Sequence, residues 1–225
     1  MEYPMVERQG SSSFRLLKVE LQPGQEIYAE SGAMASQDVE VGTETSPNGG
    51  GIVQALLLRF LGKESFFVNR FFSRSSAARH VYLSQTTPGE IIEKELRNET
   101  LFVECGALIA RTSGVSPQLV WAGLTSWIAG EGLFRLKFSG TGKVWYGSFG
   151  AVVEKEIKGG LIVDSGHLLS YPDTVSLNLK LAGGIFSSFF SGEGFVVHLK
   201  GSGKIQLQTR SVKGLAGWLN SRFWG

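Results

Sequence analysis

A single cysteine, Cys105, stands among 225 residues, which excludes an intrachain disulfide and any zinc site built from several cysteines. The three histidines, His80, His167 and His198, include no pair at the i, i+4 spacing of a helical zinc motif. No apolar run reaches the roughly 20 residues that a membrane-spanning helix needs. The two longest, Ile52 to Leu61 and Leu181 to Phe190, are broken by Arg59 and by Gly183 and serines. Excess charge of one sign is also lacking, with 22 Lys and Arg against 20 Asp and Glu, so net charge makes no case for nucleic acid. The opening residues Met1-Glu2-Tyr3-Pro4 carry no basic stretch ahead of an apolar one. No secretory signal is read there, and a reducing, cytoplasmic setting is expected.

Glycine, by contrast, is abundant: 30 residues, well above the usual share of about 7%. Many of these glycines recur in register. Pro88-Gly89-Glu90-Ile91-Ile92-Glu93-Lys94-Glu95-Leu96 matches Phe149-Gly150-Ala151-Val152-Val153-Glu154-Lys155-Glu156-Ile157, and Leu101-Phe102-Val103-Glu104-Cys105-Gly106-Ala107-Leu108 matches Leu161-Ile162-Val163-Asp164-Ser165-Gly166-His167-Leu168. Ile27-Tyr28-Ala29-Glu30-Ser31-Gly32-Ala33-Met34 is a third copy. A second signature follows each: Gly130-Glu131-Gly132 and Gly192-Glu193-Gly194, with a degenerate Gly62-Lys63-Glu64 in the first copy. Two ordered signatures occurring three times indicate an internal triplication, a pattern that must be found before any element is assigned.

Within the copies the hydrophobic period is two, which marks strands with one buried face. Val175, Leu177, Leu179 and Leu181 alternate with Ser176, Asn178 and Lys180; Ile205 and Leu207 alternate with Gln206 and Gln208; Val39 and Val41 flank Glu40 in the same way. A module of this size with one apolar face cannot bury it alone, so three copies are expected to pack on one another around a pseudo-threefold axis. The expected fold is therefore all-β. Its divisions are a repeat over 1–78, another over 79–141, a third over 142–211, and a tail over 212–225. In the tail Leu215, Trp218, Leu219 and Arg222 fall at helical spacing and predict a short C-terminal helix from Val212 to Trp224.

Gly24-Gln25 through Gly32, Gly62 through Arg70, Leu108-Ile109-Ala110, Gly130-Glu131-Gly132 and Gly201-Ser202-Gly203-Lys204-Ile205-Gln206-Leu207-Gln208-Thr209-Arg210 together resemble the altered-inheritance-of-mitochondria (mitochondrial biogenesis) family over nearly the whole chain. That resemblance implies three domains like the tryptophan RNA-binding attenuation protein (TRAP), each a short double-stranded β-helix or β-sandwich. It implies no catalytic residues and no cofactor. The family's mitochondrial members are associated with inner-membrane organisation, but a mitochondrial address does not transfer with a fold.

No catalytic or metal-binding constellation is read from the residues. Cys105 has Ser31 and Ser165 as its repeat equivalents, the signature of a small residue at a turn. Gly140-Thr141-Gly142-Lys143 and Gly201-Ser202-Gly203-Lys204 lack the four-residue glycine spacing and the following Ser or Thr of a phosphate loop. Glu131 and Glu193 sit in matching hairpin-like turns and are read as structural. What remains is three apolar segments, one ahead of each Gly-Glu-Gly signature. Buried, they fill the core or cap the open end of the modules; exposed together, they mark a partner or a membrane surface, with Leu56, Leu57, Trp121, Trp127, Phe186, Phe189 and Phe190 as the candidate contacts.

The expectation is thus a non-enzymatic structural or interaction protein, engaging a protein partner, another copy of itself or a peripheral membrane surface. Two alternatives are carried. RNA binding would use the basic, phenylalanine-bearing stretch 59–80, whose Arg59, Lys63, Arg70, Arg74 and Arg79 interleave with Phe66, Phe67, Phe71 and Phe72. Strand alternation instead sends those rings inward and the charges to solvent. A small-metabolite site between repeats is the other alternative.

Overall fold

In the computed structural model, residues 3–47, 67–121, 134–181 and 195–223 are described. They are almost entirely strand, as the alternating pattern requires, with one helix among them. The chain divides into two compact units. Unit 1 comprises Met1–Thr100, Gly106–Leu119 and Phe138–Ser148; unit 2 comprises Leu101–Cys105, Val120–Lys137 and Phe149–Gly225.

Unit 2 is built on one long antiparallel pair. Strand β12 (Val152–Asp164) runs beside β15 (Phe195–Gln208) from Val152 opposite Gln208 to Asp164 opposite Val196. The other side of β15 is shared. Its first half pairs with β14 (Val175–Leu181), and its last residues pair with β13 (Leu168–Pro172). The exchange of partners falls at Gly201-Ser202-Gly203. Gly201 has φ of 126°, and a Cβ there would strike the Thr174 carbonyl oxygen of the β13–β14 turn. The glycine pair is needed because the bent strand and that turn touch backbone to backbone. Ile157, Leu168, Val175, Val197, Leu199 and Ile205 fill the core on one face, and Ser176 and Asn178 point to solvent.

The same plan appears in unit 1. Strand β11 (Phe134–Gly147) pairs on one side with β8 (Ile91–Glu104) and on the other with β10 (Val115–Trp121) and then β9 (Leu108–Arg111). Partners change at Gly140-Thr141-Gly142. There Gly140 takes φ of 119°, a Cβ would strike the Gly114 carbonyl, and the Thr141 amide donates to that oxygen at 3.1 Å. Strands β8 and β11 each contribute residues to both units.

Residues 16–84 pair in a similar way, with both long strands cut in two. The outer strand is β2 (Leu16–Leu21) and β3 (Glu26–Glu30), separated by a turn at Pro23-Gly24; the return strand is β6 (Phe67–Ser73) and β7 (Arg79–Ser84). Here β2 pairs with β7 and β3 with β6, while β4 (Met34–Gln37) joins β7 and β5 (Val41–Pro47) joins β6. An added strand, β1 (Met5–Gln9), pairs with β2. Leu17, Val19, Leu21, Ile27, Phe71 and Val81 belong to the core of unit 1, and Trp145 closes it.

One sequence expectation is corrected here. Val39 does not alternate with Val41 in a strand: it is 95% exposed in the β4–β5 turn, whereas Val41 is buried. The turn is closed by the Val41 amide donating to the Asp38 carbonyl, so Val39 projects from the bend rather than from a pleat. The predicted C-terminal helix is present as α1 (Val212–Phe223), capped by Ser211, whose Oγ accepts the Gly214 amide at 2.9 Å.

Candidate functional site

In unit 2, three polar side chains converge where β8, β11 and β15 approach the β12–β13 turn. Arg135, 1% exposed, donates from Nη1 to the Leu168 carbonyl at 2.8 Å and from Nη2 to the Ser165 carbonyl at 3.3 Å. Its buried Nε has no partner among the described residues. Gln208 Nε2 donates to Glu104 Oε2 at 2.7 Å and to the Gly166 carbonyl at 2.8 Å, while its Oε1 accepts the Phe149 amide at 2.9 Å. His167 Nδ1 lies 2.8 Å from the Gln208 carbonyl. Burial pushes the Glu104 carboxyl up to about 7, against the opposing pull of the Arg135 charge and the Gln208 hydrogen bond. Burial likewise lowers Arg135 below the usual guanidinium range.

This cluster can hold a proton near neutrality, but apart from the Gln208–Glu104 bond its hydrogen bonds run to backbone groups. Such a network fixes a junction. The sequence pattern missed it because strand alternation assigns Arg135 to solvent, yet residues 135 and 136 are both buried.

In unit 1, Arg111 is a second buried arginine, 8% exposed. Its Nη1 donates to the Val115 and Thr112 carbonyls at 2.8 and 3.3 Å, its Nε is buried without a partner among the described residues, and its guanidinium lies 4.3 Å from the Tyr28 ring centre. Tyr28 donates to Glu26, which also accepts Arg70. An open groove of about 390 Å³ lies beside this pair, lined by Tyr28, Arg111, Ser113, Val115, Ser116, Pro117 and Gln118.

The described part of the basic stretch 59–80 shows its arginines engaged. Arg70 bridges Glu26 and Glu44 at 2.6 and 2.9 Å, and Arg79 pairs with Glu40 at 3.0 Å. Phe71 is buried; Phe72 lies under the guanidinium groups of Arg70 and Arg74. His80 sits 3.7 Å from Glu20 and 3.4 Å from Asp38. Cys105 is exposed, and no group of three or more His, Cys, Asp or Glu that could hold a metal occurs among the described residues.

Of the candidate contact residues, Trp121 ends β10, and its side chain lies outside the described residues, as do Leu56, Leu57, Trp127, Phe186, Phe189 and Phe190. Their places along the chain are nonetheless defined. Residues 48–66 connect β5 to β6, residues 122–133 connect β10 to β11, and residues 182–194 connect β14 to β15.

An all-β chain of this strand plan defines a fold class, and the comparisons narrow it. The family model described as "Mitochondrial biogenesis AIM24" matches residues 6–210, and the chain belongs to that family. It is 25% identical to an uncharacterized protein of Streptococcus pyogenes serotype M6 over 217 residues, covering 93% of this chain and 87% of that one. A crystal structure of a Streptococcus pyogenes protein shares the fold, with a TM-score of 0.81 and 24% identity, over 98% of this chain and 100% of that one.

Proposed function

We propose that the chain is a non-enzymatic structural or interaction protein made of three tandem TRAP-like modules, which acts by assembly or by contact with a protein or membrane surface through its three apolar segments. The observation that carries this reading is topological: each segment follows the second short strand of its copy, β5, β10 or β14, and leads into the return strand, β6, β11 or β15. Apolar side chains of the same kind placed three times at one point of a repeat are what a shared contact surface requires. The buried arginines add support, since their hydrogen bonds go to backbone carbonyls.

The test is light scattering and vesicle co-sedimentation on the purified chain, alongside Leu56→Glu/Leu57→Glu and Phe189→Glu. Assembly or vesicle binding that both variants weaken is the expected outcome. A monodisperse monomer that ignores vesicles overturns the proposal.

A second reading follows from the groove at Tyr28 and Arg111, where a buried guanidinium borders an open space. A small anionic metabolite is the ligand class that such a site accepts. Thermal shift across carboxylates and phosphates checks it, because a ligand at a hundred times its dissociation constant adds about 2.7 kcal/mol; no shift across the panel removes it. The ion pairs of Arg70 and Arg79 give RNA no comparable support.

A further inference from the structure

Helix α1 is amphipathic in the reverse sense to a helix packed on a core. Val212, Leu215, Ala216, Leu219 and Phe223 follow the i, i+3, i+4, i+7 spacing that gathers one apolar stripe, yet the helix buries none of its residues. Leu215 is 44% exposed, Trp218 53% and Phe223 73%. Its opposite face, exposed as well, borders a groove beside the β12–β13 turn. Lys213, Gly214, Gly217 and Asn220, flanked by Ala216 and Trp218, line an open groove of about 700 Å³ together with Asp164 at the end of β12 and His167 of the β12–β13 turn. Val212, Leu215, Leu219 and Phe223 are not among its walls. Two glycines within a helix of 12 residues weaken it in water, so a second surface is needed to hold it.

The charges say which surface. From Thr209 to the end of the sequence there are three basic residues, Arg210, Lys213 and Arg222, and no Asp or Glu. Arg222 lies over the Trp218 ring at 4.1 Å, a pairing suited to the boundary between head groups and acyl chains, where tryptophan collects and arginine reaches outward. At 1.5 Å per residue the stripe is about 18 Å long, too small for the roughly 800 Å² per partner of a standard protein interface. No helix of the described residues is long and apolar enough to cross a membrane. We infer that α1 is an in-plane anchor that lays its Leu215–Leu219–Phe223 stripe into the surface of an anionic bilayer. The helix itself lies outside the stretch the family model matches, residues 6–210, and the inference uses none of the apolar segments invoked above.

The test is co-sedimentation of the full chain with vesicles of phosphatidylcholine alone and of phosphatidylcholine mixed with phosphatidylglycerol. Binding to the anionic vesicles is expected. It should fall with added salt, fall about tenfold or more in Leu215→Glu/Leu219→Glu, and fall partially in Arg210→Gln/Arg222→Gln. Because the helix buries nothing, melting of the β body should be unchanged in both variants, which separates lost binding from lost folding. Failure of the wild-type chain to bind anionic vesicles, or equal binding by Leu215→Glu/Leu219→Glu, overturns the inference. So does an oligomer that this double variant dissociates without altering vesicle binding, which would make the stripe a self-association surface. The Leu56→Glu/Leu57→Glu variant keeps the two proposals apart. Vesicle binding lost there and retained in the helix variant assigns the contact to the segments and refutes the anchor.

Discussion

Tyr28 and Arg111 stand opposite each other in register on β3 and β9, and Phe102 and Tyr171 stand opposite each other in the same way on β8 and β13. The first pair is a cation over a ring; the second is a stacked pair with centroids 4.9 Å apart and planes 7° from parallel. Two cross-strand pairs thus make the same kind of strand-to-strand contact with different chemistry.

Removing Arg111 should be costly. Arg111→Met strands the Val115 and Thr112 carbonyls and forfeits the ring contact, for an expected loss of about 2–3 kcal/mol in urea unfolding. Arg111→Lys should not rescue it, since an ammonium lacks the planar fork. A double-mutant cycle on Phe102 and Tyr171 should return a coupling of about 0.5–1.5 kcal/mol.

Glu104 should make stability depend on pH. Its carboxyl titrates at about 7 in the folded chain, above the roughly 4.3 of an unfolded glutamate. The folded state therefore holds the proton more tightly. The contribution is fully present below about pH 4.3 and is lost as pH rises through 7, on the order of 3 kcal/mol over the whole window. Urea midpoints measured between pH 5 and 8 should fall in the wild type, and the slope should be shallower in Glu104→Gln.

The glycine bends should resist substitution. Gly140→Ala and Gly201→Ala each place a Cβ on a left-handed residue and against a backbone carbonyl, which should cost about 1–3 kcal/mol. Gly160→Ala is the control. Gly160 has no positive φ, and a Cβ would find its first neighbour at 3.6 Å, so its midpoint should move by less than about 0.5 kcal/mol.

Random single-stranded RNA should not be retained on filters in a salt-sensitive way. Arg70 is already shared by Glu26 and Glu44, which leaves that trio net negative. Phosphate contacts need cations that are free to release counterions. Retention that drops steeply between low and physiological salt would reverse this expectation.

Much of the fold was readable from the residues. Alternation placed Val175 and Ile205 inward and Ser176 outward, and the spacing of Leu215, Trp218 and Leu219 announced the helix. The Gly-x-Gly pairs fail as phosphate loops on spacing alone, but spacing does not show them as points where one strand changes partners, because that role depends on a turn distant in sequence. Arg135 and Arg111 were invisible for a related reason. A two-residue period counts a charge as solvent-facing, and only the neighbouring carbonyls of Leu168 and Val115 make burial affordable. The tail pattern disclosed an apolar stripe; that none of it is buried is a matter of packing, which spacing cannot encode.

The exchange of partners along β15 also bears on how such a chain can change length. Adding a residue between Val152 and Asp164, or at Gly201 to Gly203, would slide every pair beyond it and flip inward side chains outward. Residues added between β14 and β15, or at the connections 48–66 and 122–133, fall outside the pairs formed by the described strands. The most apolar stretches of the chain thus stand where added length leaves the described pairing untouched.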